Sequence, residues 1–276
     1  MKTINTLKKV SLATFLTFVL SFSSVFAQND TMYIMKSGAI VGQYNVNTEV
    51  DSVIFYKPTI EETTSGTFID SRDGNEYNWV KIGDQVWMAE NLAYLPSVNM
   101  VADGSEDAAG SYYYVYGYDG TNVADAKATD NYATYGVLYN WTAAMDGEAS
   151  STTNPSGIQG VCPAGWHLPS EAEWTELTNY LGGTSVAGGK LKETGTTHWN
   201  TPNTGATNET GFTALPGGGR SYSGAFSKIG SYGYWWSATE FNATYAWYRY
   251  MYFNNSDVPI DYYYKELGFS VRCVRD

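Results

Sequence analysis

Gly268-Phe269-Ser270-Val271-Arg272-Cys273-Val274-Arg275-Asp276 reads as a strand, with Phe269, Val271 and Cys273 on one side by the two-residue period. Its cysteine has one counterpart, Cys162, within Gly160-Val161-Cys162-Pro163-Ala164-Gly165-Trp166-His167-Leu168-Pro169. Residues 1–27 read as a secretory leader. Lys2, Lys8 and Lys9 form its positive region, Val10 to Val25 is apolar, and Val25-Phe26-Ala27 offers a cleavage site before Gln28. An exported chain with a single pair of cysteines most simply joins them. A Cys162–Cys273 disulfide ties the strand to a point 111 residues upstream, so the fold must draw that strand back into its own core. Catalytic and metal-binding readings must then do without free thiols.

No cysteine follows the apolar run, which argues against a lipid anchor. No second apolar stretch reaches the ~18 residues of a membrane span, so no transmembrane segment is expected in the mature chain. The expected destination is the periplasm, the cell surface or the medium, reached through the Sec pathway. Loss of the three leader lysines makes the net charge of −12 more negative still. Such a surface repels phosphate backbones, and no nucleic-acid partner is expected. Charged residues make up 16%, whereas tyrosines number 24 and tryptophans 9, a balance that fits binding surfaces and aromatic β-strands alike.

Four segments follow from composition: the signal peptide 1–27, an N-terminal β unit 28–57, a linker 58–66 and a main domain 67–276. In the β unit, Met32-Tyr33-Ile34-Met35 and Ala39-Ile40-Val41 flank a turn at Lys36-Ser37-Gly38, and Val53-Ile54-Phe55-Tyr56 offers a third strand. Pro58 to Gly66 has linker composition. In the main domain, Asp73-Gly74-Asn75 marks a hairpin. Residues 97–135 show no period and read as a long loop region. Leu138, Trp141 and Met145 predict a helix over 137–145. Ser170 and Glu173 form a capping box for a helix whose apolar stripe is Trp174, Leu177 and Leu181, stopped by Gly182-Gly183. Beyond Lys190 the chain reads as strands and loops. The class is α+β, with an antiparallel sheet core, few short helices and long loops.

A series of blocks appears in order: Tyr77 to Ile82, Gly83-Asp84-Gln85-Val86-Trp87-Met88-Ala89-Glu90-Asn91-Leu92, Leu138-Tyr139-Asn140-Trp141, Val161 to Pro169, and Glu173-Trp174. Gly188-Gly189-Lys190-Leu191-Lys192, Phe212 to Gly218, Tyr234-Trp235-Trp236-Ser237 and Gly268 to Val274 complete it. The series resembles the Fibrobacter succinogenes major paralogous domain over residues 67–276, which implies an exported protein of Bacteroidetes or Fibrobacteres. The N-terminal unit looks like a leader of Bacteroidetes surface proteins. A more distant likeness is to the C-type-lectin-like fold in its formylglycine-generating branch, carried by Leu168-Pro169-Ser170-Glu171-Ala172-Glu173-Trp174 and Gly268-Phe269-Ser270. That likeness implies a fold, not an activity.

Formylglycine generation requires a reactive cysteine pair, whereas Cys162 and Cys273 sit in segments of structural character. The Glu-Pro-Asn, Gln-Pro-Asp and Trp-Asn-Asp segments that hold calcium in C-type lectins do not occur. Asp103, Glu106, Asp107, Asp119, Asp125 and Asp130 carry hard oxygens, but their spacing matches no calcium loop and reads as a solvated acidic surface. His167 and His198 lack metal-ligand spacing, and His167 beside Trp166 reads as a packing residue. No Gly-x-Ser-x-Gly elbow occurs, and Gly217-Gly218-Gly219-Arg220 reads as a close-approach turn. No metal or cofactor is expected.

The aromatic strands remain. From Tyr245, the set Tyr245, Trp247, Arg249, Met251 and Phe253 reads as the core side, and Ala246, Tyr248, Tyr250 and Tyr252 as an exposed side. Tyr232, Tyr234 and Trp236 extend the second set as ligand-binding candidates, with Tyr262, Tyr263 and Tyr264 beyond them. Such rings stack on sugar faces or peptides without a metal. The leading expectation is a non-catalytic binding or adhesion module for a glycan or surface protein. An enzyme related to formylglycine generation, or a hydrolase, is the second reading. A structural subunit assembled through its N-terminal strands is the third.

Overall fold

The computed structural model describes residues 31–36, 39–45, 63–104 and 107–276. The chain divides into two compact units, Met1–Glu62 and Thr63–Asp276. In the first, β1 (Thr31–Lys36) and β2 (Ala39–Asn45) form an antiparallel hairpin, Thr31 opposite Asn45, with a register shift between Ile34 and Met35. The leader 1–27, the turn residues Ser37-Gly38, the run Val53–Tyr56 and linker residues 58–62 lie outside the described residues.

The second unit opens with a five-stranded antiparallel sheet. Its strands are β3 (Ser65–Ile69), β4 (Glu76–Ile82), β5 (Gln85–Met88), β8 (Trp166–His167) and β14 (Val274–Arg275), ordered β3-β4-β5-β14-β8. Ser65 and Gly66, read from composition as linker, are strand. They pair with Val80 and Trp79, and a Cβ on Gly66 would come within 2.8 Å of the Trp79 ring. The second main sheet is β11 (Tyr232–Glu240), β12 (Tyr245–Tyr252) and β13 (Ile260–Tyr264), in that order. Two short pairs complete the β structure: β6 (Tyr113–Tyr114) with β7 (Leu138–Tyr139), and β9 (Gly219–Arg220) with β10 (Phe226–Ser227). Helices are few and short: α1 (Val123–Lys127), α2 (Asp130–Tyr135), α3 (Trp141–Met145), α4 (Glu171–Tyr180) and α5 (Thr184–Leu191). The class is α+β, mostly antiparallel sheet.

Residues 268–275 run through the middle of this unit. Val274 faces Trp87 of β5 on one side and His167 of β8 on the other. Upstream, Gly268 bridges Arg220, Phe269 bridges Tyr139 and Ser270 bridges Trp235. One segment thereby touches every sheet of the unit. Its alternation also divides the core. Phe269, Val271 and Cys273 enter a cluster with Met88, Trp141, Trp166 and Trp236, whereas Val274 joins one with Trp87, Trp174, Phe212 and Trp235. The Cys162–Cys273 disulfide is present, and both cysteines are buried in the first cluster.

Three local expectations are corrected. Residues 97–135 are not all loop: Tyr113–Tyr114 pair with Leu138–Tyr139, and α1 and α2 are capped by Asn122 and Thr129. The helix read over 137–145 starts only at Trp141, because Asn140 takes the N-cap and accepts the Ala143 N–H, leaving Leu138 and Tyr139 as strand. Helix α5 was not foreseen behind its two glycines. A Cβ on Gly188 would come within 2.4 Å of the Asp257 carbonyl oxygen, and one on Gly189 within 2.5 Å of that of Gly205. The glycines serve close backbone approach rather than a loop. The same holds for Gly218, whose Cβ would meet Ser227 O at 2.4 Å.

Candidate functional site

Pairing of β11 with β12 sets Tyr232 opposite Tyr252, Tyr234 opposite Tyr250 and Trp236 opposite Tyr248, all on one face by the strand period. Tyr232 stacks on Tyr252 with ring centroids 4.3 Å apart and lies parallel to Tyr234 at 5.4 Å. Tyr232, Tyr234, Tyr250 and Tyr252 are half-buried, each offering part of a ring to solvent. Trp236 and Tyr248 are not: they are 0% and 7% exposed. Phe269 of the central segment lies over both rings, at 4.6 Å from Trp236 and 4.9 Å from Tyr248, and the Trp236 indole N–H donates to Tyr139 O. These two belong to the core. The face is therefore a gradient, from two buried rings at one end to four partly open tyrosines at the other, with Phe269 also stacked on Tyr234 at 4.8 Å.

The reverse side fastens the sheet to the rest of the unit. Trp235 and Met251 are core, and the Arg249 guanidinium is buried against Glu171, Thr175 Oγ1 at 2.9 Å and Val258 O at 3.2 Å. Burial pushes the Glu171 carboxyl above its ordinary range, against the pull of Arg249. Lys192, fully buried, donates to Tyr252 O at 3.1 Å, Asn255 O at 2.7 Å and Thr204 O at 3.0 Å, pinning the end of β12. Burial lowers its pKa to about 8, so at neutral pH the ammonium those carbonyls require persists. Burial raises the hydroxyls of Tyr232, Tyr234 and Tyr250, with the Asp261 and Asp257 charges adding to it at Tyr250. The face thus presents protonated phenols that donate as well as stack.

Other titratable groups serve structure. His167 Nε2 lies 2.6 Å from Glu173 and Nδ1 2.7 Å from Asp276. His198 meets Glu193 at 2.9 Å. Arg220 donates to Val101 O and Asp103 O, and Arg272 to Phe212 O, Thr213 O and Asn91 Oδ1. The Asp103, Asp107 and Asp119 carboxylates accept the backbone N–H groups of Met100, Ala109 and Val101. Asp125 and Asp130 lie in the first turns of α1 and α2, and Glu106 lies outside the described residues. A recess of about 480 Å³ between the β4–β5 turn and α4 is lined by Ile82, Asp84, Gln85, Thr175, Glu176 and Tyr180, among others, with no histidine or cysteine.

Sequence alternation missed one cluster. Phe241 stacks on Tyr262 at 3.9 Å and meets Trp247 edge-on at 5.2 Å, on the face opposite the tyrosine gradient. Trp247 and Tyr245, read as core, are only half-buried there, against the rings of Phe241, Tyr262 and Tyr264. The signal available was Phe241 itself, an apolar residue directly before the turn residues Asn242-Ala243-Thr244.

A family model described as the Fibrobacter succinogenes major domain matches residues 80–275. No curated protein and no solved structure matches the chain.

Proposed function

The chain belongs to the Fibrobacter succinogenes major domain family, a description that names no reaction, and we propose its role from the site: an exported, non-catalytic binding or adhesion module. The ligand is a glycan or a surface protein, taken up by the partly open rings of Tyr232, Tyr234, Tyr250 and Tyr252. The observation that carries this reading is the stacked array itself, on paired strands pinned by Arg249 and Lys192. Rings fixed in place lose little entropy when a ligand stacks on them. The buried cysteines support binding over thiol chemistry, since both are 0% exposed and joined. The finer fold reading is a C-type-lectin-like domain, supported by the sharing of one sheet by β3 and β14, the first and last strands of the unit. Export is supported by the leader-like residues 1–27 and by the disulfide.

The test is a glycan-array and insoluble-fibre screen with residues 28–276, followed by the triple variant Tyr232→Ser, Tyr250→Ser, Tyr252→Ser. Each lost ring should weaken binding by roughly 1 kcal/mol or more while the thermal midpoint changes little. Full binding by a folded triple variant would refute the assignment.

A further inference from the structure

The four partly open tyrosines of the β11–β12 face are not equivalent. Tyr234 lies nearly parallel to Phe269 at 4.8 Å, Tyr232 parallel to Tyr234 at 5.4 Å, and Tyr252 stacks on Tyr232 at 4.3 Å. These three spend ring faces on their neighbours. Tyr250 stands apart. It is tilted by 37°, 46° and 48° to Tyr248, Tyr234 and Tyr232, with centroids 5.9, 6.2 and 6.1 Å away. Among the described residues no ring stacks on it, so its half-buried ring keeps a face for a ligand.

A carboxylate stands beside that ring. Asp261 of β13 pairs with Tyr248, which precedes Tyr250 by two residues on the same face of β12. Asp261 is exposed. Its Oδ2 accepts the Tyr248 hydroxyl at 3.5 Å and its Oδ1 the Tyr262 N–H at 2.8 Å, so each oxygen keeps a lone pair. Among the described residues no lysine, arginine or histidine forms an ion pair with it. After burial, the charges of Asp261 and Asp257 are what raise the Tyr250 hydroxyl. Asp257 also acts on the Lys192 ammonium, which nonetheless donates to the carbonyls of Thr204, Tyr252 and Asn255. A ring face carries negative charge density, so ring and carboxylates attract the same sign of charge. The chain's own Lys228 already lies over Tyr232, 5.9 Å from its centroid.

Resting on the reading of this face as a binding site, we infer that its occupant is a basic segment of a surface protein, with a lysine or arginine side chain laid on Tyr250 and its charged head at Asp261. Charge selects this class. A chain of net charge −12 repels acidic polysaccharides, and a neutral sugar leaves the carboxylate uncompensated. Length selects it as well. Adjacent strands lie about 4.8 Å apart, so the apolar stem of lysine or arginine crosses a ring on β12 while its head reaches β13. Arginine suits best, because its guanidinium both stacks on a ring and bonds a carboxylate through two N–H groups. No existing contact is displaced, since the lone pairs left on Asp261 take the incoming donors.

The probe is a fluorescent peptide of alternating arginine and serine, titrated by anisotropy against the oxidised chain freed of residues 1–27. The same peptide with citrulline in place of arginine keeps the shape and loses the charge, and should bind at least about tenfold more weakly. Asp261→Asn and Tyr250→Leu should each weaken the arginine peptide about fivefold or more, with an unchanged circular dichroism spectrum. Asp84→Asn removes an equal charge from the exposed β4–β5 turn and should change binding by less than about twofold. No binding of the arginine peptide, equal binding of the citrulline peptide, or equal losses in Asp84→Asn and Asp261→Asn would each overturn the inference. Tighter binding of a cello-oligosaccharide or a chitosan oligosaccharide, lost in Tyr250→Leu, would overturn the basic partner and leave the tyrosine face standing as a binding site. Full binding of the arginine peptide by the folded triple variant Tyr232→Ser, Tyr250→Ser, Tyr252→Ser would overturn both.

Discussion

His167 has a carboxylate at each ring nitrogen, Glu173 on one side and Asp276 on the other. Burial of the ring opposes its charged form, but the hydrogen bond and charge of Glu173, with those of Asp276, outweigh it and raise the pKa above 6.5. A raised folded-state value means that the native protein holds the proton longer than the unfolded chain does. The stabilisation is complete below 6.5 and is lost as pH rises through the folded value. Denaturant midpoints measured from mildly acidic to mildly alkaline pH should therefore fall in wild type, and the fall should flatten in His167→Gln. An equal slope in both would show that other groups carry the pH dependence. The sequence places His167 beside Trp166 and makes it a packing residue, as it is. Its partner 109 residues away was illegible, because nothing local in Asp276 announces a contact that only the fold creates.

Helix α4 was the element most legible from sequence. Ser170 and Glu173 form the capping box, Trp174 and Leu177 are fully buried, and the helix ends at Tyr180 before Gly182 and Gly183, both at positive φ. Ser170→Ala should cost about 1 kcal/mol of stability, read as a lower denaturation midpoint with binding unchanged. The same side-chain logic failed at α1 and α2, of five and six residues, which are too short to show a period, and at α3 it found the helix but placed its start too early. It failed at α5 because Gly188 and Gly189 are there for the loops that press on them. In β12 the alternation sorted residues to the right faces but not to the right depths. Tyr248 and Tyr250 share a face, and the strand period alone does not tell that one is core and the other partly open.

Across the whole unit, the Cys162–Cys273 bond closes a loop of 111 residues around the core. Cys162→Ala with Cys273→Ala should cost roughly 2–5 kcal/mol, seen as a lower midpoint that reducing agent no longer shifts. If wild type and the double variant unfold together under oxidising conditions, the bond contributes nothing. This pairing was legible because two cysteines allow one partner each. The isolated bridges from Gly268, Phe269 and Ser270 to three other sheets were not, since single contacts leave no pattern in a sequence. Those bridges bear on how such a chain is made. A polypeptide that emerges N-terminus first, from a ribosome or through a secretion channel, delivers residues 268–275 after nearly everything they join. Until they arrive, neither half of the interior can close, and Cys162 has no sulfur to meet. Synthesis and closure of the core are thereby ordered in time: the interior is completed only when residues 268–275 arrive.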